Sequence, residues 1–228
     1  MSPAADSARW AIVVAALAAL VALATTCTAH PASTAPTVRI GLVAPFEGRG
    51  REIGYDVIYA ARLAVRERNQ AGGVAGYRVD LVALDDGGDP ALAVRAAQSL
   101  AIDPLVMGAI GHWGASTTRA AGQVYVELEL PLLVADELQV DPGRLPPDFV
   151  ARYQEVAPFD EQPGPRAAAA YDACNLLFEA LAVVIERQGE PSRAAVAAAL
   201  AELTTRGISG SLVTRSLVGW NRELVPAP

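Results

Sequence analysis

The stretch that decides the fold is residues 78–110, RVDLVALDDGGDPALAVRAAQSLAIDPLVMGAI. Its two ends, residues 78–84 and 105–110, are β-branched or apolar runs of the length and composition that buried strands have. Between them, Asp89 can cap a helix predicted over residues 90–101, whose first residue is a proline. A strand, a helix and a strand in this order predict a parallel pair joined by a crossover helix.

The same alternation continues on both sides of this stretch. Two further strands and two further helices are predicted, at residues 38–44 and 131–135 and at residues 55–69 and 116–127, with Ser116 as the cap of the last helix. Residues 38–135 therefore have the order β-α-β-α-β-α-β, which predicts a flavodoxin-like parallel sheet with helices on both faces. Ligands of such sheets bind at the carboxyl ends of the strands, which here meet the loops 45–54, 85–89, 111–117 and 136–140.

After residue 135, the sequence no longer shows this alternation of strands and helices. Residues 141–147 (DPGRLPP) form a Pro- and Gly-rich loop, and residues 208–218 fit either a strand or a hairpin. Three helices are predicted between them, at residues 148–154, 166–188 and 193–204, the last capped by Ser192.

Composition and charge restrict the possible partners. The chain has 228 residues and a formal net charge of −7, with 52% apolar and 19% charged residues. The acidic balance argues against a nucleic-acid partner, because phosphate binding requires clustered Lys and Arg. Two His and two Cys leave too few ligands for a structural zinc site. We therefore expect no metal and no cofactor.

The amino terminus has the features of an export signal, predicted over residues 1–26. Residues 10–24 (WAIVVAALAALVALA) carry no charge and follow Arg9. Fifteen residues are fewer than the roughly 20 that a membrane-spanning helix needs, but they suit the apolar region of a signal peptide. A buried core helix is the alternative. Export predicts a location in the periplasm or at the cell surface.

The four residues that follow, Ala24-Thr25-Thr26-Cys27, resemble a bacterial lipobox, in which the cysteine is acylated. Leu23 lies one place earlier than the usual leucine, and Thr26 replaces the usual Gly or Ala. Ordinary cleavage that removes Cys27 is therefore the alternative. Residues 27–37 are rich in Pro, Ser, Thr and Ala and are predicted to be a disordered tether. Contact with the membrane is expected only through the lipid anchor.

Three sequence features suggest chemistry, and each has a plainer interpretation. Residues 48–54 have the spacing G-x-G-x-x-x-G, one residue too long for a dinucleotide loop, which favours a loop with unusual backbone angles. Asp85-Asp86 at a strand end suggests a phosphoacceptor, but a capped turn before Pro90 fits better. Cys174 lies inside a predicted helix and is expected to be a packed small residue.

The loop at residues 111–118 (GHWGASTT) is the most informative, because it follows a buried strand and opens a helix. Free amides and the hydroxyls of Ser116 and Thr117 suit a carboxylate ligand, and a helix cap without a ligand is the alternative. His112 has no serine in a G-x-S-x-G elbow to activate. No catalytic residue is assigned, and an exported enzyme on this fold is disfavoured.

Several segments, taken in order, resemble the type I periplasmic binding proteins of branched-chain amino-acid ABC transporters. Residues 38–45 (VRIGLVAP) resemble the first strand of that family, and residues 71–76 (AGGVAG) its "AGGVnG" turn. Residues 85–90 and 110–117 resemble its "DDxxDP" turn and its "IGh…SS/ST" loop. Three later segments resemble its carboxyl-terminal portion: residues 149–153, 171–173 and 208–210.

The resemblance implies one lobe of a two-lobed protein. Family members build a first α/β lobe, cross to a second, and return to complete the first. Here the βα repeats cover residues 38–135 and a return segment covers residues 148–218, so residues 38–228 resemble the first lobe alone. The implied function is that of a solute-binding lipoprotein of an ABC importer, with an amino acid or similar small molecule as ligand and a permease as partner. The alternative is a non-transporting single lobe that dimerises or pairs with a separate second lobe.

The resemblance also implies which residues contact the ligand. The turn that contains Trp113, Ala115, Ser116 and Thr117 and the stretch that begins at Asp136 are expected to hold the carboxylate and the ammonium group. Ile53 falls where an aromatic residue often lines the pocket. The acid of the second lobe that usually binds the ammonium group has no counterpart, so weak binding is expected.

Overall fold

The computed structural model describes residues 35–228. The predicted signal peptide, Cys27 and most of the predicted tether lie outside the described residues. In residues 35–228, seven strands and six α-helices follow in chain order: β1 (Thr37–Ala44), α1 (Arg51–Gln70), β2 (Arg78–Asp85), α2 (Pro90–Ile102), β3 (Val106–Ile110), α3 (Ala115–Glu127), β4 (Leu132–Val134), α4 (Pro147–Gln154), α5 (Ala167–Gln188), α6 (Arg193–Glu202), β5 (Thr204–Gly207), β6 (Gly210–Ser216) and β7 (Arg222–Pro226).

All seven strands form one sheet in the order β2-β1-β3-β4-β7-β6-β5. Strands β2, β1, β3, β4 and β7 are parallel, which confirms the predicted flavodoxin-like arrangement of residues 38–135. The sheet then continues as an antiparallel β7-β6-β5 meander, so the complete sheet is mixed. Of the two alternatives predicted for residues 208–218, the single strand is confirmed: β6 lies in this range and pairs with β5 before it and β7 after it.

Helices cover both faces of the sheet and divide the core in two. Helices α1 and α5 pack together on one face, while α2 and α3 pack together on the other. Side chains of strand β1 pack on both faces of the sheet. Ile40 and Leu42 belong to the cluster under α1 and α5, and Val43 belongs to the cluster under α2 and α3. This alternation follows from the two-residue period of a strand.

Helix α5 is the one helix among residues 35–228 that is long and apolar enough to cross a membrane by length and composition. It is largely buried, and its inward side chains are packed against α1 and the sheet. Burial of this kind is typical of the central helix of a globular domain.

Two helix starts differ from the prediction. Helix α1 begins at Arg51 rather than at residue 55, because Gly54 is part of the helix and not of a loop. A Cβ atom at Gly54 would overlap the carbonyl oxygen of Pro45, so this glycine allows the helix to approach β1 closely. Helix α3 begins at Ala115 with Gly114 as its N-cap. The prediction of Ser116 as the cap was therefore wrong.

Two other predicted caps are confirmed. The Asp89 carboxylate accepts hydrogen bonds from the backbone N–H groups of Ala91 at 2.7 Å and Leu92 at 3.1 Å. The Ser192 hydroxyl accepts one from the N–H of Ala195 at 3.4 Å. Both residues satisfy amides that the first helical turn leaves without partners.

Two of the segments that carried the family resemblance are in direct contact in the structure. The Asp172 carboxylate accepts hydrogen bonds from the backbone N–H groups of Ile208 at 2.9 Å and Ser209 at 2.7 Å. Burial of Asp172 raises the pKa of its carboxyl group, although these two bonds oppose the shift. A Cβ atom at Gly207 would overlap this carboxylate. Residues 171–173 and 208–210 therefore fasten the β5–β6 turn to α5.

Candidate functional site

A cleft of about 540 Å³ opens where the first turns of α1 meet the segment before α5. Its walls come from the start of α1, from Tyr153 of α4 and from residues 161–166. The lining residues are Arg51, Glu52, Ile53, Tyr55, Asp56, Tyr153, Glu161, Gln162, Gly164, Pro165 and Arg166. The cleft has the size of a site for a small molecule.

A buried carboxylate fixes one wall of this cleft. Asp56 of α1 accepts hydrogen bonds from the backbone N–H groups of Gly164 and Arg166, each at 2.8 Å. Tyr153 donates its hydroxyl to the backbone carbonyl of Asp56 at 3.3 Å. Burial raises the pKa of the Asp56 carboxyl group, and the two backbone bonds oppose the shift. Residues 164–166 are therefore held at a defined position against α1.

Arg166, which lines the cleft, also contacts the loop after β4. Its Nε atom lies 3.6 Å from Oδ1 of Asp136, so the two side chains form an ion pair without a hydrogen bond at Nε. Asp136 follows β4 and was predicted to contact the ligand. The structure places it beside Arg166 instead of among the residues that line the cleft.

The aromatic surface of the cleft comes from a residue that the sequence did not single out. Ile53, which the resemblance placed in the pocket, lines the cleft and is half-buried. Tyr55 also lines it, is 40% exposed, and stacks on Tyr59 at a ring-centroid distance of 6.2 Å. Residues two positions apart lie on different sides of a helix, so the position of Tyr55 relative to Ile53 gave no sequence signal.

The turn after β3 lies apart from the lining of this cleft. Trp113 is 4% exposed and packs in the core, so its ring cannot offer a surface to solvent. Thr117 is buried, and its hydroxyl donates to the backbone carbonyl of Gly114 at 2.8 Å. Ala115 and Ser116 are exposed on the first turn of α3. Among the hydroxyls of residues 115–117, the one at Ser116 is thus the accessible one.

His112 of the same turn belongs to a buried polar cluster. Its Nδ1 atom lies 2.7 Å from Oδ2 of Asp86, and its Nε2 atom lies 3.3 Å from the hydroxyl of Tyr125. All three side chains are almost completely buried. Asp86 also accepts a hydrogen bond from the backbone N–H of Gly88 at 2.9 Å. The cluster ties the ends of β2 and β3 to α3.

Asp85 and Asp86 form a capped turn in the structure. Oδ1 of Asp85 accepts hydrogen bonds from the backbone N–H groups of Phe46 at 2.6 Å and Gly87 at 3.0 Å. Through these bonds, the Asp85 carboxylate holds the loop after β1 next to the loop after β2. The capped-turn interpretation of the sequence therefore describes this segment better than a phosphoacceptor site.

Groups that could support other chemistry are buried or dispersed. Residues 35–228 contain no group of three His, Cys, Asp or Glu residues placed to hold a metal ion. Cys174 is fully buried in α5, and burial raises the pKa of its thiol well above the ordinary range. A thiol of this kind stays protonated at neutral pH and does not act as a nucleophile.

Residues 37–144, which build the cleft's α1 wall and the loops after β1 to β4, match the family described as Periplasmic binding protein. This part of the chain is therefore similar in sequence to that family. Leu/Ile/Val-binding protein homolog 1 of Brucella abortus is 30% identical over 112 residues, which are 49% of this chain and 28% of that protein. The Leu/Ile/Val-binding protein of Escherichia coli is 29% identical over 158 residues, which are 68% of this chain and 41% of that protein. The chain thus matches less than half the length of these two relatives.

The periplasmic binding protein fold extends beyond the part that matches in sequence. The branched-chain amino acid transporter substrate binding protein of Streptococcus pneumoniae, solved in complex with isoleucine, superposes with a TM-score of 0.66 at 14% sequence identity. That superposition covers 84% of this chain and 96% of the other. It therefore includes residues after 144, where the sequence match to the family ends. At this identity the likeness shows the fold.

The described residues contain one lobe of that fold, and the chain passes from β4 to α4 through residues 135–146. This connection holds one short 3₁₀ turn, Pro142–Arg144, which is too little chain for a second α/β lobe. In the residues that the structure describes, the walls of the cleft therefore come from this one lobe.

Proposed function

We propose that the chain is an exported solute-binding protein of an ABC importer, of the branched-chain amino-acid type. The observation that supports this most strongly is the match of residues 37–144 to the periplasmic binding proteins, since these residues build the sheet edge where such folds bind ligands. A small amino acid is the ligand, and an ABC permease is the partner. Relatives named Leu/Ile/Val-binding proteins support the choice of ligand class.

The single lobe binds its ligand weakly. A site that closes between two lobes buries most of a small ligand, whereas an open cleft on one lobe leaves about half of the ligand in water. The ligand then loses contacts, and the remaining electrostatic contacts are weakened by solvent. Weak binding of this kind is compatible with a truncated member of the family.

The proposal is tested by a nuclear magnetic resonance titration of the chain with millimolar leucine, isoleucine and valine, with lysine as the control solute. We expect the three branched-chain amino acids to shift amide signals of residues 51–56 and 161–166, which line the cleft. Lysine should shift them less, because its charged end meets the apolar surface of Ile53 and Tyr55. Equal shifts with lysine, or no shifts at all, would contradict the proposal and favour the non-transporting single lobe.

We further expect acylation of Cys27 to anchor the exported chain to the membrane, with residues 28–37 as the spacer. Replacement Cys27→Ser should abolish the incorporation of labelled palmitate and move the protein from the membrane fraction to the soluble fraction. The control is Cys174→Ala, which removes the other cysteine and should leave both properties unchanged. Palmitate retained in the Cys27→Ser variant would show that Cys27 is not the acylated residue.

A further inference from the structure

Exposed apolar side chains are concentrated at the amino edge of the sheet, the edge at which the parallel strands β1, β2, β3, β4 and β7 begin. Of the eight large apolar side chains that are exposed in residues 35–228, five lie in three loops at this edge. These five residues, here called the apolar edge patch, are Ile102 (81% exposed), Leu105 (40%), Leu128 (43%), Leu217 (43%) and Val218 (66%). A single exposed apolar residue is common, whereas a cluster of them marks a contact surface.

The members of the patch border two hollows on either side of the β6–β7 turn. Ile102 and Leu128 line one hollow together with Trp220 of this turn. Leu217 and Val218, from the same turn, line the other. The patch therefore runs as one surface from the end of α2, past the end of α3, to the start of β7.

The chain enters the fold at this same edge. The backbone N–H of Arg78 donates to the carbonyl of Pro36 at 2.8 Å, and the N–H of Arg39 donates to the carbonyl of Leu105, a member of the patch, at 2.8 Å. Cys27 precedes Ala35 by eight residues, and eight residues reach at most about 29 Å when fully extended. An acyl chain on Cys27 would therefore keep the start of β1 within about 29 Å of a lipid surface, which gives the neighbouring patch a high effective concentration there.

On the basis of the acylation of Cys27 proposed above, we propose that the apolar edge patch rests on the lipid surface to which the chain is anchored. The patch thus adds a second membrane contact to that of the acyl chain. Its side chains enter the boundary between headgroups and acyl chains, and Trp220 suits the level of the headgroups. Glu127 and Glu129 are exposed beside the two hollows and would be repelled by anionic lipids, so a zwitterionic surface fits the patch best.

This contact orients the lobe on the membrane. The cleft lies at the opposite, carboxyl edge, because its walls are the start of α1, which follows β1, and residues 161–166, which precede α5. With the amino edge on the membrane, the cleft lies on the side away from the surface, where solute reaches it. Five side chains make a weak and reversible contact, so the lobe can leave the surface to meet a permease.

The test is spin labelling of the acylated chain in vesicles of phosphatidylcholine and phosphatidylethanolamine. One variant carries the nitroxide at Val218→Cys, in the patch, and the other at Phe159→Cys, a 95% exposed position between α4 and α5. Cys174 is fully buried and escapes the label, and the acyl chain blocks Cys27. We expect the label at residue 218 to collide more with oxygen, which concentrates in lipid, than with a water-soluble nickel complex. The label at residue 159 should show the reverse.

A matched pair of substitutions in α2 tests whether the patch itself makes the contact. Ile102→Ser removes an apolar side chain from the patch, whereas Leu92→Ser removes a 38% exposed one near the other end of the same helix. Ile102→Ser should lower the ratio of membrane-bound to free lobe, read from the label at residue 218, by about tenfold, because an isoleucine no longer leaves water. Leu92→Ser should change this ratio by less than about twofold, as is usual for a surface substitution.

Other outcomes overturn the proposal in distinguishable ways. If the chain is acylated and bound to vesicles but the label at residue 218 collides mainly with the nickel complex, the patch stays in water and the acylation of Cys27 stands. Equal effects of Ile102→Ser and Leu92→Ser would likewise show that the patch does not make the contact. If the label at residue 218 is protected from both reagents, and dilution of the chain in the vesicles removes this protection, a second copy covers the patch. A chain without an acyl group at Cys27 that stays off the vesicles would show that both the acylation and the membrane contact are wrong.

Discussion

Replacement of His112 by Ala is expected to lower the free energy of unfolding by about 3–5 kcal/mol, since it leaves a buried carboxylate without its partner. The Nδ1 atom of His112 lies 2.7 Å from Asp86, whose side chain is 1% exposed. In the variant, Oδ2 of Asp86 loses this hydrogen bond, and the carboxylate keeps only the bond that its Oδ1 accepts from the N–H of Gly88. The hydroxyl of Tyr125 also loses its contact with Nε2.

Urea unfolding followed by circular dichroism measures this loss. The control is Asp80→Asn, which breaks the exposed pair of Arg78 and Asp80 at 3.3 Å and should cost less than about 1 kcal/mol. The double variant Asp86→Asn/His112→Ala should recover part of the loss, because it removes the buried charge together with its partner. A His112→Ala variant that loses no more than Asp80→Asn would show that the buried pair does not stabilise the lobe.

The second large effect is expected at Gly111, which follows β3 and begins the turn that contains His112. Its φ angle is 137°, and a Cβ atom there would overlap the carbonyl oxygen of Val43 in β1. Gly111→Ala must therefore push β1 and β3 apart at the edge where the ligand loops begin. We expect a loss of about 3 kcal/mol or more, as overpacking and backbone strain act together.

The variant Gly189→Ala separates the effect of backbone strain from that of overpacking. Gly189 ends α5 with a φ angle of 85°, and a Cβ atom there would have no neighbour within 4 Å. Its substitution brings only the cost of the left-handed conformation, about 1–2 kcal/mol. Thermal unfolding should show a clearly larger loss for Gly111→Ala. Equal losses in the two variants would show that the contact with Val43 is relieved without cost.

Local sequence patterns predicted the parallel half of the fold. The starts and ends of β1, β2 and β3 lie within one residue of the predicted ones, because a β-branched run between turn residues defines a strand locally. The caps Asp89 and Ser192 were also identified from sequence, since a cap depends on only three or four residues.

Features that depend on contacts between distant residues could not be predicted in this way. Strand β7, Arg222–Pro226, is short and has no clear alternation, and it becomes a strand only because β4 and β6 lie on its two sides. The start of α1 was missed because Gly54 resembles a loop residue in sequence, whereas its role is a close approach to Pro45. Both cases are decided by tertiary packing.

The same distinction between local patterns and contacts of distant residues applies to the candidate site. The resemblance pointed to Ile53 and to the loops after β3 and β4, and these do lie at the carboxyl edge of the sheet. The ion pair of Asp136 with Arg166 and the anchoring of residues 164–166 by Asp56 join parts of the chain that are far apart in sequence. Nothing in the spacing of these residues indicates that they meet.

The affinity for leucine tests the central claim most directly, namely that one lobe of a periplasmic binding protein fold binds its solute from one side. A two-lobed site with a dissociation constant of about 1 μM has about −8 kcal/mol of binding free energy, and half of that corresponds to about 1 mM. Calorimetry with the full chain should therefore give a dissociation constant in the millimolar range. A micromolar or tighter constant would show that a single open lobe does not describe the binding site.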